Sequence, residues 1–154
     1  MNQKQALKQL KELNKKSKEM RLAAENWSND WQILTAIILS ARTRDEVTIK
    51  VCEKMYKEVS SSKEFSKLKI QKVKKLIGSI NFFNNKSKMI LNCAKEIETI
   101  HKGIVPRDFE KLVMLSGVGR KTANVFLAEF GGSNIGVDTH VSYISQYLGW
   151  ANSD

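Results

Sequence analysis

A short segment with two glycines, residues 115–123, carries the clearest chemical signal in the sequence. The glycines lie one residue apart between two stretches of helical pattern, and a basic pair follows them at once. Glycines at this spacing permit a tight turn with positive φ angles and keep side chains away from a ligand. Backbone N–H groups of the turn and of the next helix can then point at one phosphate. The residues that carry this prediction are Gly117, Val118, Gly119, Arg120 and Thr122.

The succession of helix, glycine turn and helix predicts a helix–hairpin–helix at about residues 108–130. Such a motif binds the phosphate backbone and does not distinguish base sequence. A plain helical hairpin that needs glycine for its turn would show the same spacing. The Arg-Lys-Thr that follows favours an anion site over that simpler interpretation.

Two side chains close to this segment in sequence could do covalent and acid–base chemistry. An unprotonated amine, here Lys121, can attack a sugar carbon as a nucleophile. A carboxylate, here Asp138, can stabilise positive charge that develops on the sugar and help move a proton. Each also has a simpler interpretation, because lysine beside a hairpin usually contacts phosphate and Asp-Thr before a helical pattern is typical of an N-cap.

The run LSGVGRKTANVFLAEFGGSNIGVDTHVSYISQYLGW, with LTAIILSARTRDEVT upstream, resembles endonuclease III of the helix–hairpin–helix/Gly-Pro-Asp DNA glycosylase superfamily, nearer to its archaeal branch. The likeness covers nearly all of residues 27–150. That family works in base excision repair: it removes a damaged base from DNA and cuts the strand by β-elimination. The resemblance implies a DNA glycosylase and AP lyase that acts on double-stranded DNA with damaged or abasic sites, with oxidised pyrimidine as the usual base.

The resemblance also implies roles for individual residues. Lys121 matches the Schiff-base nucleophile of the family and Asp138 its catalytic carboxylate. Arg42 matches the position from which a polar side chain enters the duplex and fills the space of the flipped base. Arg44 and His140 complete the expected DNA contacts. The simpler alternative, that Arg42 and Arg44 are exposed loop charges, is less favoured than the insertion role.

Composition favours an all-α protein, and the cysteine usage favours a reducing compartment. One proline and eight glycines separate long stretches rich in helix-forming residues. A net charge of +10 attracts polyanions, but a lysine-rich solvated surface would give the same charge. The sequence shows neither a membrane span nor a signal peptide, so we expect a cytoplasmic protein, associated with the nucleoid if prokaryotic. The two cysteines, Cys52 and Cys93, read as buried thiols.

The resemblance implies a six-helix core domain, residues 26–132, and parts of a second helical domain, residues 1–25 and 133–154. The first 25 residues predict one amphipathic helix whose stripe is Leu7, Leu10, Leu13 and Met20. The core pattern predicts a central apolar helix over 31–40 that Asp30 caps, and a helix that Thr43 or Asp45 caps and that runs to about Val59. Shorter helices follow at 63–68 and 69–77. A helix over 86–101 buries Met89 and Ile100, and the two helices of the hairpin come last.

The sequence departs from the family pattern after residue 150. Most relatives continue for about sixty residues and carry a C-x6-C-x2-C-x5-C loop that ligates a [4Fe–4S] cluster. The two cysteines here are too few and lie elsewhere, so we expect no metal and no cofactor in this chain. The second domain would then be incomplete. This leaves the N-terminal stripe uncovered and predicts marginal stability, self-association or complementation by another chain. Two other functions stay open: a non-enzymatic helix–hairpin–helix DNA-binding remnant, and a mismatch-specific glycosylase.

Overall fold

The computed structural model describes residues 3–16 and 20–152 and, within these, contains α-helices and no strands. The prediction of an all-α protein is confirmed. None of the helices in these ranges is both long and apolar enough to cross a membrane. The helices are α1 Gln3–Lys16, α2 Asp30–Ser40, α3 Asp45–Glu58, α4 Ser62–Phe65, α5 Ile70–Leu76, α6 Phe83–Ile100, α7 Phe109–Val113, α8 Arg120–Ala128 and α9 Thr139–Tyr147.

The chain folds into two compact units. One unit comprises Leu22–Gly136, and the other comprises the segments Met1–Arg21 and Val137–Asp154. The larger unit holds α2 to α8, the seven helices that the local pattern predicts, including the short α4, against the six that the resemblance implies. The smaller unit holds α1 and α9 in its described residues.

Helix α2 lies at the centre of the larger unit, as its nearly continuous apolar sequence predicts. Eight of its eleven residues are buried, and it contacts α3, α6 and α8. A helix that is apolar on all sides must have protein on all sides. Phe65, Met55 and Phe126 from the surrounding helices are fully buried against this core.

Helix caps differ from the predicted ones because the predicted side chains have other partners. Asn29, not Asp30, caps α2, and its side chain accepts a hydrogen bond from the Gln32 N–H at 3.0 Å. Asp30 instead receives two hydrogen bonds from the Arg107 guanidinium, each at 3.0 Å.

The N-cap of α3 is Arg44, and no side chain accepts a hydrogen bond there. The Asp45 carboxylate accepts from the Ala23 N–H, and the Thr43 hydroxyl accepts from the Asn81 N–H, both at 3.2 Å. The prediction that Thr43 or Asp45 caps this helix is therefore wrong.

Helix α6 begins three residues earlier than predicted, after Phe82, whose φ of 60° lies in the left-handed region. Its predicted inner face is only partly correct. Ile90, Cys93, Ala94 and Ile97 are buried, but Met89 and Ile100 are exposed. These two side chains stand at the rim of the inner face, where helical periodicity alone does not separate buried from exposed positions.

The smaller unit differs from prediction at the end of its first helix. Helix α1 begins at Gln3 and ends at Lys16, and residues 20–25 form irregular structure and a turn, so the predicted helix to residue 25 is wrong there. Leu7, Leu10 and Leu13 are each about half exposed. Within this unit the Trp150 indole donates to the Gln9 side chain at 2.7 Å, and Leu148 lines a cavity of 560 Å³ along α1.

Candidate nucleic-acid interface and active site

The helix–hairpin–helix forms as predicted, from α7, a turn and α8. Gly117 has a φ of +82°, a conformation that only glycine adopts at little cost. A Cβ there would lie 3.0 Å from Met89 Cβ and 3.4 Å from Ile38 Cγ2. Gly119 differs from prediction, since its φ is −90° and it is the N-cap of α8. The turn therefore requires glycine at position 117. At position 119 the surroundings are open, and a Cβ added there would have no atom within 4 Å.

A carboxylate from α6 holds the hairpin turn. Glu96 accepts hydrogen bonds from the Ser116 N–H at 2.7 Å and from the Ser116 hydroxyl at 2.6 Å. Leu115 and Val118, on either side of this contact, are buried in the core. The turn is therefore held by the buried apolar side chains on either side of it and by two short hydrogen bonds to the Glu96 side chain.

The first turn of α8 has the features of an anion site. The first N–H groups of an α-helix have no intrahelical acceptor, and the capping glycine supplies no side-chain oxygen. No acidic residue lies in this turn, whereas Arg120 and Lys121 are both exposed there. The positive end of the helix dipole and these two cations all favour an anionic ligand. A phosphate oxygen could approach the open backbone at Gly119.

Lys121 lies in this turn, and a neighbouring segment packs along its stem. A Cβ on Gly136 would lie 3.7 Å from Lys121 Cγ and only 2.2 Å from Val125 Cγ2. The same segment is joined to α8 by a hydrogen bond of 2.9 Å from the Asn134 amide to Asn124. Glycine at position 136 thus allows the backbone to pass against the helix face that carries the candidate nucleophile.

Arg42 lies in a loop, residues 40–44, that runs from the last residue of α2 to the N-cap of α3. Its φ of 56° is left-handed, which is uncommon for a residue other than glycine. The Asn81 side chain donates to its carbonyl oxygen at 2.6 Å. Its guanidinium lies 5.6 Å from the centre of the Phe82 ring, itself 58% exposed at the tip of the turn before α6. The loop therefore presents a cation beside an exposed aromatic ring.

Arg44 is exposed at the start of α3 and shares a surface cavity with the same loop. This cavity has a volume of 380 Å³, and its lining residues are Arg42, Thr43, Arg44, Val47, Ser79 and Asn81. Two arginines and no acidic residue line it, so the cavity is suited to a negatively charged group.

The hairpin and the Arg42 loop have common supports in α2 and α6. Ile38, which faces Gly117, lies four residues before Arg42 in the chain. Met89, which also lies against Gly117, is one helical turn from Lys86, which contacts the loop. The larger unit therefore brings these predicted DNA-binding residues onto one framework of two helices.

Asp138 and His140 belong to the smaller unit. Asp138 is the N-cap of α9, and its carboxylate accepts a hydrogen bond from the Val141 N–H at 2.8 Å. The N-cap interpretation is thus confirmed, and it does not compete with a chemical role, because one oxygen can bind the helix while the other faces a substrate. His140 is exposed, in the first turn of the same helix.

Comparison with known proteins decides the family. Residues 35–154 match the profile of the HhH-GPD superfamily base excision DNA repair proteins. The chain belongs to this superfamily, and within it to the endonuclease III family. It is 36% identical over 129 residues to Endonuclease III of Rickettsia conorii, an alignment that covers 83% of this chain and 61% of that protein. The chain thus spans less than two thirds of the length of this curated relative.

Two solved structures of endonuclease III resemble the chain over 99% of its length. A non-covalent Endonuclease III–DNA complex has a TM-score of 0.87 and 30% identity, with 73% of that chain covered. A trapped Endonuclease III–DNA covalent intermediate has a TM-score of 0.85 and 32% identity, with 74% covered.

The iron–sulfur cluster expected in the endonuclease III family does not fit the residues present. A [4Fe–4S] cluster is held by four cysteine thiolates, and the chain has two cysteines. Both are buried in the core of the larger unit, and burial, with the nearby Glu96, raises the pKa of the Cys93 thiol to about 12. Within residues 3–16 and 20–152, no three His, Cys, Asp or Glu side chains are placed to hold a metal ion.

Several residues that shape this endonuclease III-like site are not among the predicted ones. Each is a polar, aromatic or glycine residue whose partner lies 10 to 47 positions away in sequence. They are Asn81, Phe82, Lys86, Glu96, Asn134 and Gly136. A single sequence gives no signal for such contacts, apart from the glycine-rich run that precedes α9.

Proposed function

We propose that this chain acts in base excision repair as a DNA glycosylase with AP lyase activity. It would remove a damaged base, with oxidised pyrimidine as the expected class, and cut the strand by β-elimination. The observation that carries the proposal is the position of Lys121, exposed in the first turn of α8 directly after the hairpin. A phosphate held by that turn brings the adjoining sugar close to an amine.

The reaction follows from the chemistry of an amine and a sugar. The nitrogen of Lys121 forms a bond to C1′ as the glycosidic bond breaks, and the base leaves with the proton that the amine gives up. The C1′–O4′ bond of the sugar then opens, O4′ takes up a proton, and a protonated imine links C1′ to the lysine. Removal of a C2′ proton then expels the 3′ phosphate. Asp138 would stabilise positive charge on the sugar and carry the amine proton. The trapped covalent intermediate of a related endonuclease III supports this route.

DNA would be held mainly through its phosphates. The hairpin, Arg120 and Thr122 supply donors that do not distinguish bases, with His140 as a further contact. Affinity should therefore fall as salt rises, because each neutralised phosphate releases counterions. A net charge of +10 adds long-range attraction, and such a role would place the protein at the nucleoid. No step of this proposal requires a cofactor.

Arg42 would fill the space that a flipped base leaves. Its left-handed backbone and its position beside the exposed Phe82 ring support this role, since cationic and apolar side chains are used together to enter a duplex. Arg44 would contact the adjoining phosphate. Arg42→Ala should therefore weaken binding to an abasic duplex more than to an intact one.

Borohydride trapping tests the proposal directly. The protein is incubated with an abasic-site duplex and borohydride, which reduces the imine to a stable amine and leaves a covalent complex. Lys121→Gln should abolish trapping while duplex affinity changes little. Lys111→Gln is the matched control, because it removes one exposed positive charge from the other helix of the same hairpin.

The outcomes separate the three candidate functions. Trapping in the control and not in Lys121→Gln supports the glycosylase and lyase. Salt-dependent binding without trapping or base release would indicate a non-enzymatic DNA-binding protein instead. Base release from a mismatch without trapping would indicate a mismatch-specific glycosylase.

We also propose that the apolar stripe of α1 mediates self-association. Leu7, Leu10 and Leu13 share one face of the helix and are each about half exposed. Sedimentation velocity across a concentration series should show a dimer that Leu10→Lys removes. A monomer at every concentration would contradict this proposal without affecting the enzymatic one.

A further inference from the structure

Lys86 is a buried ammonium group within a helix that otherwise buries mostly apolar residues. It lies in the first turns of α6, and only 6% of its surface is exposed. Burial lowers the pKa of its amine to about 8, because the charged form loses hydration. A lysine in this environment must have polar partners that compensate for the lost water.

All of the partners recorded for the Lys86 amine lie at one place, the end of α2 and the loop that follows. Its Nζ donates to the Leu39 carbonyl at 2.7 Å, to the Ala41 carbonyl and, at 3.4 Å, to the Thr43 hydroxyl. These three bonds match the three hydrogens of an ammonium group. Lys86 therefore joins residues that are 43 to 47 positions away in sequence.

The end of α2 needs such a partner. The last carbonyls of an α-helix have no intrahelical donor, and the negative end of the helix dipole favours a cation. Helix α2 has no basic residue in its own last turn. Lys86 supplies the missing charge and donors from α6.

Three further carbonyls of this region also accept hydrogen bonds. The Ile37 carbonyl accepts from the Ser40 hydroxyl and the Ser40 carbonyl from the Thr43 N–H, each at 2.9 Å. The Arg42 carbonyl accepts from Asn81 at 2.6 Å. A left-handed residue other than glycine persists only where its surroundings fix it, and these bonds fix Arg42 from both sides.

We propose that Lys86 is the positioning residue of the Arg42 loop. Its ammonium group caps α2 from α6 and holds Arg42 in the backbone conformation from which its side chain fills the space of a flipped or missing base. The second half of this statement rests on the proposed function. Lys86 itself touches no substrate. It acts by removing the conformational freedom that the loop would otherwise lose on binding.

The test compares Lys86→Met with Lys88→Met. The first variant keeps an unbranched stem of similar length and removes the donors, and the second makes the same change at an exposed position of the same helix. Hydrogen exchange of the amides in residues 40–44 measures how well the loop is ordered. The ratio of the affinity for abasic duplex to that for intact duplex measures how much the loop contributes to recognising the abasic site. Lys86→Met should speed exchange there by about tenfold or more, whereas Lys88→Met should leave it unchanged.

The affinity ratio of Lys86→Met should fall towards that of Arg42→Ala, while affinity for intact duplex changes by less than about twofold. Ile90→Ala, a cavity in the buried face of α6, controls for general destabilisation and should leave the ratio unchanged. If Lys86→Met does not fold, Thr43→Val and Asn81→Ala loosen the same loop from its other contacts and take its place.

Unchanged exchange in residues 40–44 would overturn the proposal. Faster exchange in Lys86→Met would also overturn it if this variant kept the original affinity ratio while Arg42→Ala lowered that ratio. A ratio that Arg42→Ala itself does not alter would contradict the insertion role in the proposed function and, with it, the second half of this inference. The exchange data would still decide whether Lys86 orders the loop.

Discussion

The two compact units bury their helices to very different extents. In the larger unit α2 alone has eight buried residues, and its surrounding helices contribute fully buried aromatic and aliphatic side chains. In the smaller unit neither α1 nor α9 has a buried residue within the part of the chain that the structure describes. The hairpin, the Arg42 loop and Lys121 belong to the well-packed unit, whereas Asp138 and His140 belong to the other.

This difference indicates which parts of the proposed chemistry have rigid support. A group that must meet phosphate or enter a duplex benefits from a fixed geometry, which a packed core supplies. In the smaller unit Asp138 caps α9, a helix with no buried residue. DNA binding should therefore tolerate changes in the smaller unit that base removal does not.

The largest expected effect separates the stability of the two units. Leu34→Ala deletes a fully buried side chain of α2 and should lower the free energy of unfolding by about 3 to 4 kcal/mol. Leu10→Ala removes a half-exposed leucine of α1 and should cost less than about 1 kcal/mol. Urea denaturation of both variants checks this, and equal losses would contradict the contrast between the units.

A second pair of variants separates the two glycines of the hairpin. Gly117→Val places a branched side chain at a φ of +82° and against Met89, and should cost about 3 kcal/mol of stability with loss of binding to both damaged and intact DNA.

Gly119→Ala is the matched comparison, since its backbone is extended and its surroundings are open. It should cost about 1 kcal/mol or less, yet weaken DNA binding, because the methyl group occupies the space into which a phosphate would come. Stability from urea denaturation and affinity by fluorescence anisotropy are measured on the same proteins. Normal affinity in a folded Gly119→Ala would argue against phosphate binding at this turn.

The sequence predicts what depends on local pattern. The apolar run of α2 indicates a central helix, the two glycines indicate the hairpin, and Asp-Thr before an apolar helical pattern indicates the cap at Asp138. These features need only residue type and spacing over a few positions. The same local reasoning fails where a residue has two suitable neighbours, as at Asn29 and Asp30, both good capping residues.

Contacts between distant segments could not be predicted in this way. Helical periodicity treats a lysine such as Lys86 as solvent-exposed, because charged residues are almost never fully buried without a partner. Its partners lie at the end of another helix, and their positions follow only from how α2 and α6 pack. The same reason applies to Glu96 and Gly136, because Ser116 and Val125, which they contact, lie on other segments of the folded chain.

A third prediction uses the titration of Lys86. Its pKa is about 8 when folded and returns to the ordinary value of 10.5 on unfolding, so between these two values the unfolded chain binds more protons at this site. The free energy of unfolding should therefore rise with pH in this window, by about 1 to 2 kcal/mol relative to Lys86→Met between pH 7.5 and 9.5. Urea denaturation of both proteins at the two pH values measures the difference. A constant difference would show that the amine does not titrate in this window.

The smallest stability effect concerns Asp138, where cap and chemistry can be separated. Asparagine is as good an N-cap as aspartate, so Asp138→Asn should keep the bond to the Val141 N–H and leave stability unchanged. Asp138→Ala removes that acceptor and should cost about 1 kcal/mol. Under the proposed function both variants lose the carboxylate, so both should slow base removal in single-turnover assays far more than they weaken DNA binding. Slow base removal in Asp138→Ala with a normal rate in Asp138→Asn would assign the residue to the cap alone, because only the variant that loses the helix contact would then be impaired.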